Sequence, residues 1–193
     1  MQSKPTGPVR DRTGASPRRL VWLFVATVVV VAVTATGCGG PASPPARDTA
    51  GVMASSIRQL ITVDNTFGGS PPPFTTYLIQ TSTDPYAGTG TEPTAASRAL
   101  TQNERDAIEM VVAPFGSVQW IDDPAEYRTS DLMPTIEGSA ILGVGEPTFD
   151  DKGALVPVSL WCSGLCGTWF TYRLQQTSEG WQVTGIEGPR AIS

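Results

Sequence analysis

Residues 154–174 read ALVPVSLWCSGLCGTWFTYRL. Two runs of alternating residues flank a turn that carries a cysteine on either side, and this pattern predicts a β-hairpin. Three residues separate Cys162 from Cys166, a spacing that suits a short loop with Gly164 at a positive φ. Facing Cα atoms in an antiparallel pair lie about 4.5–5.5 Å apart, within the reach of a disulfide. The stretch therefore predicts architecture and a Cys162–Cys166 disulfide, not an activity.

Pairing the two cysteines across the turn also fixes one register for the hairpin. In that register one face is mostly apolar, with the facing pairs Ala154 and Leu174, Val156 and Tyr172, Val158 and Phe170, Leu160 and Thr168. The other face carries Trp161 and Trp169. Because both strands then alternate correctly at once, we expect the first face to line a core. Pro157 lacks a backbone N–H, which predicts a bulge or an edge at that point.

Composition bounds the fold and excludes several functions. A chain of 193 residues, 40% hydrophobic and 16% charged, is typical of one globular domain with an export segment. There is no histidine, which excludes Ser-His and Cys-His nucleophile pairs and histidine-ligated metals. Residues 38–193 carry eight Lys/Arg and 17 Asp/Glu, a net charge of −9. Nucleic-acid binding needs a basic surface, so we expect no nucleic-acid partner.

The first 37 residues have the organisation of a secretory signal. They carry five Lys/Arg and one Asp, and an uncharged apolar run extends from Leu20 to Thr36. The following stretch, Ala35-Thr36-Gly37-Cys38, resembles the lipobox of bacterial lipoproteins, although that family usually has Leu where this chain has Ala35. The resemblance implies that Cys38 receives a diacylglyceryl group and becomes the mature N-terminus. The protein would then be held on the outer face of the cytoplasmic membrane.

Two alternatives for this segment stay open. Seventeen apolar residues approach the ~20 that a spanning helix needs, so an uncleaved signal anchor is the other interpretation of the run. Arg18-Arg19 before it is faintly similar to a twin-arginine signal, which leaves the export route open. Gly39–Gly51 is rich in Pro, Gly, Ser and Ala and predicts a flexible tether. We therefore predict a signal peptide at 1–37, a lipidated tether at 38–51 and one domain at 52–193.

The patterns of the domain predict two helices. Residues 52–63 place apolar side chains on one helical face, and either Asp48 or Thr49 can cap that helix. Thr101 and Glu104 form a capping-box pattern at the start of a second amphipathic segment.

Strands are predicted around both helices. We expect them at 74–81, 117–121, 139–146, on both sides of the 162–166 turn and at 181–186. Residues 82–99 have no period, and their small, mostly uncharged residues favour a mobile loop over a functional one. Short turns between the late strands predict an antiparallel, four-strand C-terminal meander. The fold class is therefore predicted as α+β, with two helices on one face of an antiparallel sheet.

Several of these segments together are similar to a known group. They include Tyr77-Leu78-Ile79, the helix from Thr101, the CxxxCGxW run that begins at Cys162, and Gly180–Gly185. This arrangement resembles a group of uncharacterised exported lipoproteins of actinobacteria. The resemblance extends over most of residues 52–193 and implies a place in the cell envelope. It implies no catalytic residues, because that group has no assigned function.

Three sets of residues are candidates for a site. Cys162 and Cys166 form a redox pair less often at this spacing than at two residues, which favours a structural disulfide. The acidic clusters at 122–126 and 150–151 lie in predicted turns, where aspartate is common for local hydrogen bonding. Trp161 and Trp169 share one hairpin face, and unless another part of the chain covers them they form an exposed patch of the kind that marks contacts.

These observations favour a binding module over an enzyme. We expect no catalytic residues, no metal and no cofactor, a membrane partner through the lipid on Cys38, and an envelope protein or small ligand as a further partner. The alternative is a carboxylate-dependent hydrolase acting on cell-wall material. Two carboxylates about 5–9.5 Å apart in a cleft would favour that alternative.

Overall fold

The computed structural model of the chain describes residues 47–68 and 73–193. Cys38, the predicted signal and most of the predicted tether lie outside the described residues. The described part belongs to one compact unit and contains two α-helices and seven strands. They are α1 (Thr49–Thr62), β1 (Thr76–Gln80), α2 (Gln102–Val112), β2 (Ser117–Ile121), β3 (Ser139–Val144), β4 (Thr148–Asp150), β5 (Gly153–Ser163), β6 (Cys166–Thr177) and β7 (Gly180–Ile192).

The strands form one mixed sheet. Its order is β2-β1-β3-β5-β6-β7, with the short β4 also paired to β5. The neighbours β3, β5, β6 and β7 are antiparallel, as predicted for the C-terminal meander. β1, however, is parallel to both β2 and β3, so the prediction of an entirely antiparallel sheet is wrong. The connections between these strands explain the difference. The segment that contains α2 returns the chain to the same end of the sheet between β1 and β2, and residues 122–138 do the same between β2 and β3. The α+β class is confirmed.

The hairpin register is confirmed over β5 and β6. The structure pairs Ala154 with Leu174 and continues in the predicted register to Leu160 with Thr168. Only at the turn does it shift, where Ser163 faces Cys166. Cys162 and Cys166 are joined as a disulfide, with their Cα atoms 5.1 Å apart.

The prediction of a positive φ at Gly164 is wrong, whereas Pro157 lies at a local edge of the sheet, which is one of the two outcomes predicted for it. Gly164 is not among the positive-φ glycines; its N–H instead donates to the carbonyl of Leu132 at 2.8 Å. No bulge forms at Pro157, which pairs regularly with Thr171. The carbonyl of Pro157 accepts a hydrogen bond from the N–H of Gly145. The position of Pro157 that lacks an N–H therefore faces the short connection between β3 and β4. The neighbouring ladder is already interrupted there, so little pairing is lost.

Both helices begin at the predicted caps. The Asp48 side chain accepts from the N–H of Gly51 at 2.8 Å, and α1 starts at Thr49, three residues before the expected domain boundary. Thr101 and Glu104 form the predicted capping box at the start of α2. Each side chain satisfies backbone donors that have no partner inside the helix.

The core lies between the helices and one face of the sheet. α1 contributes Val52, Met53, Ile57, Leu60 and Ile61, α2 contributes Ile108 and Val112, and the sheet contributes the predicted apolar face of the hairpin. The disulfide closes one end of this core, where the Thr66 hydroxyl lies 3.2 Å from the Cys166 sulfur. The predicted core is thereby confirmed. The opposite face of the sheet does not contribute to this core.

Candidate functional site: a tryptophan cleft on the second face of the sheet

The face of the sheet opposite the helices carries a second, smaller apolar cluster. It consists of Leu78, Ile121, Ile141 and Trp161, with Trp169 packed against it. Ile141 and Trp161 are direct cross-strand neighbours, as are Ser159 and Trp169. These side chains come from β1, β2, β3, β5 and β6, so the sheet itself holds them in fixed relative positions.

The loop at residues 81–99 covers part of this face. It is hydrogen-bonded at both ends and in the middle: Thr83 N–H donates to Arg98 carbonyl at 2.8 Å, and Gly88 N–H donates to Val158 carbonyl at 3.1 Å. Gly88 and Gly90 have φ values of +85° and +76°, a region that residues with a Cβ rarely adopt. A Cβ on Gly90 would also lie 3.1 Å from the Trp169 ring. The loop is therefore fitted closely to the hairpin.

Between this loop and the segment after β2 lies a cleft of about 450 Å³, which we call the tryptophan cleft. Its residues are Gln80, Ser82, Thr83, Asp84, Pro85, Tyr86, Gly90, Ser97, Pro124, Arg128, Ile141, Ser159, Trp161 and Trp169. The volume falls within the range of about 300–1,000 Å³ that is usual for small-molecule sites. The combination of aromatic rings with a few polar groups is also usual there.

Asp84 and Ser159 form the polar floor of the tryptophan cleft. Both residues are buried, and the Ser159 hydroxyl donates to one carboxylate oxygen of Asp84 at 2.7 Å. The other oxygen accepts from the N–H of Tyr86 at 2.9 Å. Gly143 lies directly beneath, where a Cβ would come within 2.5 Å of the Ser159 hydroxyl and overlap the Asp84 carboxylate. Glycine at 143 is thus a condition for this pair to form.

Arg128 provides the positive charge of the cleft. Its guanidinium carbon lies 4.5 Å from the centre of the Trp161 ring, a distance typical of a cation–π contact. Desolvation lowers the pKa of Arg128, against the opposing effect of the charges on Asp84 and Asp123. Among the described residues no carboxylate forms an ion pair with Arg128. The guanidinium is therefore oriented by a ring and remains available to an anion.

The two predicted binding residues are brought together, but not as an exposed patch. Trp161 is only 7% exposed and Trp169 is half-buried, because the 81–99 loop and Arg128 cover them. The Cys162–Cys166 disulfide lies on the opposite face, where it closes the core, and Cys38 lies outside the described residues.

Sequence reasoning missed Asp84, Arg128 and Ser159. Each of them stands alone in its segment, without a motif around it. The glycines at 88 and 90 were the one signal in the sequence that pointed to a closely packed loop.

The acidic clusters behave as turn residues. Asp123 accepts from the N–H of Ala125 at 2.8 Å and starts the short 3₁₀ helix Pro124–Tyr127. Asp150 pairs with Arg173 at 2.8 Å, which lowers the pKa of that carboxyl. In the described ranges no group of three or more potential ligands is placed to hold a metal ion.

A second, more open cleft of about 610 Å³ lies beside β4 and the start of α1. Three of the polar residues that line it, Asp48, Asp150 and Trp181, form side-chain hydrogen bonds. The Trp181 indole donates to the Asp48 carboxylate at 3.2 Å, and Asp150 is held by Arg173.

Comparison of this chain with models of protein families, with curated proteins and with solved structures finds no match. Within residues 47–68 and 73–193 no helix has both the length and the apolar character required to cross a membrane.

Proposed function

We propose that the protein is a lipid-anchored, extracytoplasmic binding module of the cell envelope, without enzymatic activity, and that its ligand occupies the tryptophan cleft. The observation that carries this proposal is the convergence of Trp161, Trp169 and Arg128 around the Asp84–Ser159 floor. The strands β5 and β6, the fitted 81–99 loop and the segment after β2 are all needed to build that arrangement. A merely structural second face would need only apolar packing.

The polar groups of the cleft favour binding over hydrolysis. Of the residues that line it, Asp84 is the one carboxylate, and a glycosidase-type mechanism uses two. Ser159 donates to Asp84 in the manner of an activated nucleophile, but the chain has no imidazole to carry the proton. A carboxylate-dependent cell-wall hydrolase remains the alternative, and in that case Asp84 would be its acid or base.

The tether part of the proposal rests on the lipobox resemblance at Cys38. Nine residues separate Cys38 from Asp48, so the start of α1 would lie at most ~35 Å from the lipid. Changing Cys38 to Ser should abolish lipidation and release the protein from membranes. Intact-mass analysis of membrane-extracted protein checks this, and an unlipidated wild type would contradict the anchor without bearing on the cleft.

The binding part can be tested by thermal shift with a panel of soluble cell-wall fragments. We expect a fragment that raises the Tm of the wild type and of a Trp181→Ala control, which lies outside the tryptophan cleft, but not that of Trp169→Ala. The recovered fragment should be chemically intact. Stabilisation that persists in Trp169→Ala would place the site elsewhere, and cleavage that disappears in Asp84→Asn would favour the hydrolase.

A further inference from the structure

The tryptophan cleft contains one negative and one positive side chain, and these two charges limit the kinds of ligand that can bind there. Its floor carries the negative charge of Asp84, and its side carries the positive charge of Arg128. A ligand with several negative charges would place some of them near Asp84 without compensation. A purely apolar ligand would bury both charges without offering either of them a polar group, at a cost in binding free energy. A single anionic group combined with neutral hydrogen-bond donors satisfies both sides.

Arg128 is suited to a carboxylate on the ligand. It forms no ion pair with any carboxylate of the described residues, and the Trp161 ring restrains its guanidinium at 4.5 Å. A restrained guanidinium loses less side-chain entropy on binding than a freely moving one. Paired N–H groups also match the two oxygens of a carboxylate.

Asp84 is suited to hydroxyl groups on the ligand. Each of its oxygens accepts one hydrogen bond from the protein, from Ser159 and from Tyr86. An ionised carboxylate has about four acceptor positions, so Asp84 has acceptor capacity beyond these two bonds. The side chains of Gln80 and Ser82 also line the cleft, and they add further hydrogen-bonding groups at its edge.

Trp169 provides a flat apolar surface beside these groups. It is half-buried and lies directly opposite Ser159 in the sheet. Gly90 lies against the five-membered part of the indole, and the part of the ring that the loop leaves uncovered lines the cleft. The face of an indole ring is electron-rich and attracts the C–H groups of a saturated ring that carries electronegative oxygens. A sugar ring presents such C–H groups on its face and hydroxyls around its edge.

We infer that the tryptophan cleft binds an acidic sugar, with its ring on Trp169, its hydroxyls toward Asp84 and its carboxylate on Arg128. This inference rests on the proposed function and specifies its ligand class. N-acetylmuramic acid and N-acetylglucosamine are a matched pair of probes, because they share a ring and differ by one lactyl group with its carboxylate. Benzoate is the third probe, which has a carboxylate on a flat ring and no hydroxyls.

The experiment is a titration of each probe into the full chain, followed by tryptophan fluorescence and calorimetry. We expect N-acetylmuramic acid to bind at least about tenfold more tightly than either other probe. Arg128→Gln should remove this preference, so that the two sugars bind with similar affinity, whereas Trp169→Ala should weaken the binding of both sugars. Arg190→Gln on β7, an exposed arginine outside the cleft, is the matched control and should behave as the wild type.

The outcomes separate the ligand class from the proposed function. Equal or tighter binding of N-acetylglucosamine or benzoate, with dependence on Trp169, would overturn the acidic sugar and leave a binding cleft. A preference for N-acetylmuramic acid that survives Arg128→Gln would also overturn the inference. Failure of N-acetylmuramic acid to bind up to its solubility limit would do the same, and the proposed function would then depend on the fragment panel alone.

Discussion

The most informative stability test of this fold is the substitution Glu104→Gln. Glu104 is 2% exposed and accepts two hydrogen bonds from the Arg98 guanidinium, each at 2.8 Å. It also accepts from the backbone N–H of Thr101 at 2.8 Å. Arg98 in turn donates to Glu146 at 2.6 Å. One carboxylate therefore links the start of α2 with the end of the 81–99 loop and, through Arg98, with the connection between β3 and β4.

The expected magnitude follows from the pKa of Glu104. The hydrogen bonds from Arg98, opposed by desolvation and aided by Thr101, lower that pKa from 4.5 to about 2. Such a difference corresponds to about 3 kcal/mol of folding free energy at neutral pH. Glutamine keeps an oxygen for Thr101 but loses the charge, and Arg98 keeps Glu146. We therefore expect a loss of about 2–3 kcal/mol, near the lower end of what breaking a buried ion pair costs.

The same pair makes the stability depend on pH in a defined direction. Because the folded pKa of Glu104 is lower than the unfolded one, its contribution is complete above about pH 5 and is lost as the pH falls toward about 2. The wild type should therefore lose stability steeply across this acidic window. Glu104→Gln should lose less, since its side chain does not titrate.

Urea denaturation at pH 7 and at several values down to pH 2.5 measures both effects. Glu126→Gln, an exposed residue of the 3₁₀ segment with no ion pair among the described residues, is the control and should follow the wild type at every pH. The reasoning is refuted if Glu104→Gln costs less than about 1 kcal/mol at pH 7, or if its stability falls with pH as steeply as that of the wild type.

Three further predictions concern packing and the disulfide. Ile108→Ala should destabilise the domain by about 2–5 kcal/mol, because Ile108 is fully buried in α2; a harmless change in urea denaturation would contradict the assigned core. Replacing Cys162 and Cys166 by serine should lower the free energy of unfolding by about 2 kcal/mol and leave the fold intact, because the disulfide closes only a short loop. Circular dichroism of the wild type with and without reductant checks whether the fold is retained. Global unfolding on reduction would contradict this prediction. Gly143→Ala should lower the free energy of unfolding by about 1–3 kcal/mol, because the new Cβ would overlap the floor of the cleft. Gly185→Ala is the control and should be neutral, since nothing lies within 4 Å of its new Cβ. Equal Tm values for the two variants would contradict the prediction and mean that the floor can relax.

The features that the sequence predicted correctly depend on neighbours in the chain. The capping box at Thr101 and Glu104 is a contact between residues three positions apart. The hairpin register follows from alternation on two strands joined by one turn. In both cases the interacting groups are brought together by the local backbone, so residue types and spacing are sufficient to identify them.

The features that the sequence missed depend on pairings across long separations. Asp84 and Ser159 are 75 positions apart, and Arg128 reaches Trp161 from a segment with no regular pattern. The parallel placement of β1 between β2 and β3 is of the same kind, because strand direction is set by where each connection returns the chain. Alternation identifies a strand's two faces but not its neighbours or its direction.

The sequence by itself thus determined the two capped helices, the disulfide-closed hairpin and the side of that hairpin that faces the core. Only the tertiary structure decided what covers the other side. There the 81–99 loop lies against Trp169 at Gly90 and against β5 and β6 at Gly88, and both glycines have positive φ. The physical reason is that a cleft is formed by side chains converging from separate elements, and the free energy of such convergence comes from contacts that local propensity does not encode.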